Sequence, residues 1–266
     1  MSRGNAYATL RVERDGPVAT VVLARPDVRN AFDDAMIAEL TAVFASLSAE
    51  AGVRAVVLTG EGKTFCAGAD VHWMRKAAGY SREENREDAR KMARMLRTID
   101  VCSRPVIGKI RGAAIGGGVG LAAVCDIAIA SRETVFSLAE VKLGILPAAI
   151  SPYVLRAIGA RLARDYFLTG DRFDAEEARR IGLLHAAVED AELDAAVERK
   201  IDSLLTSGPE AVAAAKKLID TVSGMDIDAA FPATAEAIAD RRASEEGKEG
   251  LTAFLEKRRP RWSGSR

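Results

Sequence analysis

Two glycine-containing turns carry the residues of this 266-residue chain whose types and spacing suit chemistry. In Ile110-Arg-Gly-Ala-Ala-Ile-Gly-Gly-Gly-Val-Gly-Leu-Ala-Ala-Val-Cys-Asp126, three consecutive glycines, Gly116, Gly117 and Gly118, separate an apolar strand-like run from an apolar helix-like run. Glycine lets the backbone turn sharply and lets a ligand touch the main chain. A helix that starts there presents unpaired N–H groups and the positive end of its dipole. The second turn, Phe65-Cys-Ala-Gly-Ala-Asp70, follows the strand-like run 54–59. Two backbone donors converging on one oxygen would form an oxyanion hole, able to hold a developing negative charge without any side chain.

The elements that must position these turns are legible in outline. Residues 9–13 and 18–23 read as two strands joined at Asp15-Gly16, a hairpin signal. Residues 34–47 have helical periodicity, with Ile37, Leu40, Val43 and Phe44 on the apolar side. A strand at 54–59 leads to the first turn. Residues 81–99 form a charged amphipathic helix with Ser81 as N-cap and Glu84 three residues on. A strand at 105–110, the glycine turn and a helix through Val124 repeat the strand–turn–helix plan, and 127–130 and 134–137 read as short strands. Strand and helix signals mix to about residue 190, after which the chain is alanine-rich and helical, so the fold class is α/β.

Composition narrows the function classes. Lys+Arg and Asp+Glu both number 38, so no global field draws the chain to nucleic acid or an anionic membrane. Cys66, Cys102 and Cys125 are widely spaced and read as reduced thiols; without paired spacing or histidine clusters, no metal site is expected. The stretch Met1-Ser-Arg-Gly-Asn-Ala6 lacks the apolar core of a signal peptide, and the run 119–129 is interrupted by Asp126 and too short to span a bilayer. A soluble cytoplasmic protein with no membrane partner is expected. His72 and His185 read as packing or polar contacts, and Trp73 and Met74 as walls of a pocket or core.

Three further strings stand in fixed order around the two turns: Arg25-Pro-Asp-Val-Arg-Asn-Ala31, Phe136-Ser-Leu-Ala-Glu-Val-Lys-Leu-Gly-Ile-Leu-Pro147 and Glu249-Gly-Leu-Thr-Ala-Phe-Leu-Glu-Lys-Arg-Arg-Pro-Arg-Trp262. Together they resemble the enoyl-CoA hydratase/isomerase (crotonase) family, from about Thr9 to Trp262. The resemblance implies a spiral of repeated ββα units over residues 1–195 and a C-terminal helical trimerisation segment over 196–266, assembled as a homotrimer or a dimer of trimers. It implies an acyl-CoA substrate, which itself carries the coenzyme A, and no separate cofactor. The donors match Ala69 and Gly117, and Glu140 falls on the family's second glutamate. Coenzyme A binding is expected around Val28, Arg29, Ala67, Gly68, Asp70 and Gly116, with Arg29 placed to meet a phosphate and Phe254 and Lys257 reaching the coenzyme A of a neighbouring subunit.

One departure matters. The family's first glutamate corresponds here to Gly120, which has no side chain to activate water, and Pro147 is followed by Ala148 where many members have glycine. Two readings follow. In the favoured one, the chain is a lyase hydrating a branched or carboxylated 2-enoyl-CoA, because Phe65–Met74 and Leu146–Tyr153 look like 3-methylglutaconyl-CoA hydratases of leucine or isoprenoid breakdown. In the other, Glu140 shuttles one proton in a 3,2-enoyl-CoA isomerase of fatty acid metabolism. RNA binding by Lys257-Arg-Arg-Pro-Arg261 is a remote third reading, since no aromatic platform interleaves the run, and a catalytically inactive homologue a fourth.

Overall fold

The computed structural model describes residues 7–263, so the N-terminal stretch read above for a leader lies outside the described residues. The expected hairpin opens the fold. β1 (Leu10–Asp15) and β2 (Val18–Leu23) pair antiparallel with Leu10 opposite Leu23, and Gly16 turns the chain at φ 51°. α1 (Asp34–Ala49) starts where the Asp33 side chain accepts the Met36 N–H, and it buries Met36, Ile37, Leu40, Val43, Phe44 and Leu47. Then come β3 (Ala55–Gly60), α2 (Val71–Ala77) and α3 (Arg82–Asp100). The capping box of α3 forms as its sequence predicts: Ser81 accepts the Glu84 N–H while the Glu84 side chain accepts the Ser81 N–H.

The remaining elements alternate between two sheets. They are β4 (Val106–Ile110), β5 (Ala113–Ile115), α4 (Gly117–Val124), β6 (Ile127–Ser131), β7 (Val135–Ser137), α5 (Ser151–Thr169), β8 (Arg172–Asp174), α6 (Ala175–Arg180) and β9 (Ala186–Val188). The larger sheet has the order β1-β2-β3-β4-β6-β9, parallel except for the first hairpin; the smaller has the order β5-β7-β8. Thus β4 and β6 join the larger sheet, while β5 and β7, which follow them, join the smaller one before a helix closes each unit. The ββα units wind into the expected spiral. β5, β8 and β9, three residues each, were not anticipated.

The end of the chain is helical, as expected: α7 (Leu193–Leu205), α8 (Pro209–Val222), α9 (Ile227–Ala243) and α10 (Glu245–Leu255). The division expected at 195/196 falls inside α7, whose Leu193, Ala196, Val197 and Ile201 pack on Val18, Val57, Ile107 and Ile129 of the larger sheet. α7 therefore covers the spiral, and the helices that stand apart from the sheet begin with α8. Lys216 of α8 ties back to Asp126 at 2.7 Å. The three cysteines are free and buried. No described helix is long and apolar enough to cross a membrane.

Candidate active site

The two sheets bring the glycine turns together by way of two isolated parallel bridges, Phe32 with Ala69 and Cys66 with Ala114. In the first, Phe32 donates its N–H to Gly68 O at 2.7 Å and accepts the Asp70 N–H at 2.8 Å. A parallel bridge uses the residues on either side of Ala69, so the N–H of Ala69 itself faces the opposite way. In the second, Ile115 donates to Cys66 O at 2.9 Å, which pulls the start of the glycine run against this turn. A Cβ on Gly68 would meet Ile115 O at 2.9 Å and lie 4.0 Å from the Gly117 nitrogen. Gly117 is the first residue of α4, so its N–H has no acceptor inside the helix. Among the described residues, neither the Ala69 nor the Gly117 N–H finds a partner.

Both donors line a cavity of about 440 Å3 with Glu140. The glutamate sits in a short 3₁₀ turn, Ala139–Leu143, immediately after β7. The glycine turn is tied to the end of that strand by the Gly116 N–H, which donates to Ser137 O at 2.8 Å. A Cβ on Gly116 would lie 2.9 Å from Glu140 Oε1, and Gly116 has φ 52°, so glycine serves here both conformation and close approach. Glu140 Oε2 is buried with no hydrogen-bond partner. Burial pushes the carboxyl above the usual glutamate range, its own backbone N–H opposing.

That imbalance has a thermodynamic sign. A carboxyl whose folded-state pKa is raised contributes most below its unfolded value, and stability falls as pH rises through the folded value. Glu140→Gln should therefore melt higher than the unsubstituted protein at pH 8, with the difference closing towards pH 4. Calorimetric melting across that range checks it, and a variant that melts lower at pH 8 contradicts the burial argument.

The position of the family's first glutamate is filled from elsewhere. A Cβ on Gly120 would lie 2.2 Å from Ile150 Cγ2, so the isoleucine at the start of α5 occupies the space of any side chain there. Phe32 and Met92 wall the donor end, at 2.8 and 3.0 Å from a Cβ built on Gly117. Leu143, Ile145, Leu146, Pro147 and Ala148 also line the cavity. Sequence reasoning missed Phe32, Met92 and Ile150. The signal for Met92 was present in the i, i+3, i+7 spacing of Asn85, Asp88 and Met92, all of which line the cavity.

The residues expected to hold coenzyme A separate into groups. Val28 and Asp70 line a shallower cavity of about 390 Å3 with Arg25, His72 and Lys76, divided from the first by Trp73. Arg29 is exposed on a left-handed turn and its carbonyl accepts the Ala67 N–H at 3.0 Å. The Asp70 side chain is committed to the fold: it is 4% exposed, caps α2 through the His72 N–H at 2.8 Å, and pairs with Arg25 at 3.1 Å. Burial pushes the Asp70 carboxyl up, but the His72 and Trp73 N–H groups and Arg25 outweigh it and hold it below the usual range. Asp70→Ala is expected to cost about 1–2 kcal/mol of folding stability near neutral pH. The loss shrinks on acidification, because the contribution of a lowered pKa is full above the unfolded value and disappears as pH falls through the folded one. Denaturant unfolding at pH 7 and pH 3 measures both, and an equal loss at both pH values would contradict the ion-pair account.

Phe254 and Lys257 lie at the end of the chain's last helix and just beyond it, and line neither cavity of their own chain. Asn30, which sequence reasoning passed over, fixes the loop that carries Val28 and Arg29. Fully buried, it accepts the Arg25 N–H and donates to Glu61 O and Thr64 O at 2.9 and 2.7 Å. His185 Nδ1 accepts the Ala128 N–H at 3.1 Å, a polar contact of the fold. In the basic run, Arg258 pairs with Glu249 and Glu256, both at 2.7 Å, and Arg261 pairs with Glu249 at 3.3 Å, so two of its four cations are engaged within the fold.

Two backbone N–H donors beside one buried carboxyl suit a reaction in which negative charge develops on a carbonyl oxygen while a proton moves nearby. The enoyl-CoA hydratase/isomerase family model matches residues 13–265. A short-chain-enoyl-CoA hydratase of Clostridium acetobutylicum is 34% identical, covering 93% of this chain and 95% of its own. A crotonyl-CoA hydratase of Syntrophomonas wolfei is 34% identical over 96% and 97%. Among solved structures, an enoyl-CoA hydratase from Shewanella pealeana superposes with a TM-score of 0.93 at 43% identity, covering 97% of each chain. Pseudomonas aeruginosa AtuE superposes with a TM-score of 0.93 at 38% identity, covering 97% of this chain and all of its own.

Proposed function

The chain belongs to the enoyl-CoA hydratase/isomerase family, and we propose that it hydrates a short, branched or carboxylated 2-enoyl-CoA of the methylglutaconyl-CoA kind, with Glu140 as its one proton carrier. The observation that carries this reading is the buried, unpartnered Glu140 carboxyl in one cavity with the free N–H groups of Ala69 and Gly117.

The steps follow from where charge appears. The thioester oxygen accepts the two N–H donors, which strengthen their hold as it becomes enolate-like. Water held by the ionised Glu140 attacks C3 and gives its proton to the carboxylate. The C2=C3 electrons move towards the thioester oxygen. The enolate then collapses, C2 takes the proton from Glu140, and the carboxylate is restored. Water has been added across the double bond and the protein is unchanged. A second carboxylate is unnecessary in this sequence, because the proton taken from water is the one returned to C2.

The space filled by Ile150 favours one alternative. With no carboxylate at residue 120, Glu140 could instead remove a C2 proton from a 3-enoyl-CoA and redeliver it at C4. Turnover of 3-methylglutaconyl-CoA, 3-methylcrotonyl-CoA, crotonyl-CoA and a 3-enoyl-CoA, with products separated by chromatography, decides between them. Hydrated product that vanishes in Glu140→Ala supports the hydratase. A shifted double bond with no hydration of any substrate replaces it with the isomerase. Expected assembly remains a homotrimer or dimer of trimers, with Phe254 and Lys257 offered to a neighbouring subunit.

A further inference from the structure

We infer that the cavity holding Glu140 runs on into an apolar channel for the acyl tail, with room for a chain of about eight carbons. This goes beyond the proposed function, whose short acyl groups occupy only the inner part, and rests on it for which end holds the thioester.

Two helices set the length. α2 begins two residues after Ala69, and its Trp73, Met74, Ala77 and Ala78 line the cavity at i, i+1, i+4 and i+5, one helical face. Ala77 therefore lies about 10 Å beyond Asp70 along the helix. α3 repeats the measure. Met92 stands at the donors, its Cε 3.0 Å from a Cβ built on Gly117, and Asn85 on the same face lies two turns back, about 10 Å away. Both helices thus line the cavity from the donors to the turn that joins them at residues 78–81. An extended chain advances roughly 1.3 Å per carbon at ordinary bond lengths, so about eight carbons reach the level of Ala77 and Asn85.

Volume and chemistry agree with that length. At about 30 Å3 per carbon, the share of one water in the liquid, a five-carbon acyl group fills roughly a third of the 440 Å3. Leu143, Ile145 and Leu146, on the loop after Glu140, line the same cavity and are 62%, 55% and 69% exposed. Large apolar side chains left this open beside a cavity mark a ligand groove. The acyl tail is their occupant, because they share one cavity with Glu140 and the two donors that hold its head. α2 buries no side chain fully, so its inner face is not spent on the core. Alanines at 77, 78 and 89 leave the channel its width. The polar groups of the wall have partners: Asn85 donates to Tyr80 O at 3.2 Å and Ser81 O at 3.1 Å, and Asp88 faces the Trp73 indole N–H. No lysine or arginine lines the cavity among the described residues.

The test reads binding of the saturated butanoyl-, hexanoyl-, octanoyl- and decanoyl-CoA by isothermal calorimetry, so no hydration step enters. Affinity should rise about two- to fourfold with each added carbon up to about eight, then level off. Ala77→Phe puts a ring into the far end and should cut the octanoyl-to-butanoyl affinity ratio about tenfold, with butanoyl-CoA binding as before. Leu146→Ser, at a side chain too exposed to support the fold, should lower the same ratio about threefold. Octanoyl-CoA binding no tighter than butanoyl-CoA, as when a neighbouring copy covers Leu143, Ile145 and Leu146 instead, overturns the inference and leaves the hydratase reading intact. So does a ratio that neither substitution changes. Binding of none of the four overturns both.

Discussion

Glu140→Gln is expected to lower kcat for hydration by about a thousandfold, within the range that general acid–base groups supply, while a saturated acyl-CoA still binds. The amide keeps the size and leaves the Ala69 and Gly117 donors in place, so thioester binding survives. It cannot take a proton from water, and no other described group stands at residue 120 to do so. Steady-state hydration alongside calorimetric binding separates the two effects. More than a tenth of the original kcat would remove Glu140 from the mechanism. The same substitution should raise the melting temperature at pH 8, as argued above. Loss of activity with gain of stability is the signature of a charge buried for function.

The second large effect concerns the space opposite. Gly120→Glu restores the family's usual pair of carboxylates on paper. In this fold it drives a Cβ to 2.2 Å from Ile150 Cγ2 and 2.9 Å from Ile150 Cβ. Overpacking alone costs about 1–3 kcal/mol, and a carboxylate held there without a partner adds to it. We expect a loss of at least about 2 kcal/mol and no gain in rate. Adding Ile150→Gly removes both opposing atoms at the start of α5, where glycine is tolerated. Ile150 is 2% exposed, so its removal alone costs about 2–5 kcal/mol. The double variant should lose less than the two single losses sum to, and denaturant unfolding of both single variants and the double measures that coupling. Strictly additive losses would show that Ile150 is not what excludes the glutamate.

Much of this was legible because some requirements are local. The glycine turn, the first hairpin and the α3 capping box each depend on a few neighbouring residues. Glu140 carried no such mark; only its place in a longer string identified it. Ile150 lies 30 positions beyond Gly120, and no spacing rule predicts that one fills the other's space. Asp70 was expected near coenzyme A only through the family resemblance. Its role as the cap of α2 and partner of Arg25 emerges only when the loop from 25 to 32 folds over it. The α3 face that meets the cavity was obscured because its first turns are crowded with charge, and Asp88 looks like one more solvated acid until Trp73 is set beside it.

The proposed donors at Ala69 and Gly117 belong to the peptide backbone, so a conventional alanine scan would pass over half of the proposed machinery. Residue 69 is already alanine. At Gly117 the substitution reports a collision with Phe32 and Met92 while leaving the N–H in place. Only an edit to the chain itself, such as replacing the amide at either position with an ester, deletes the donor and nothing else. A saturation map of side chains would therefore score Ala69 as tolerant, although its N–H is half of the proposed oxyanion hole.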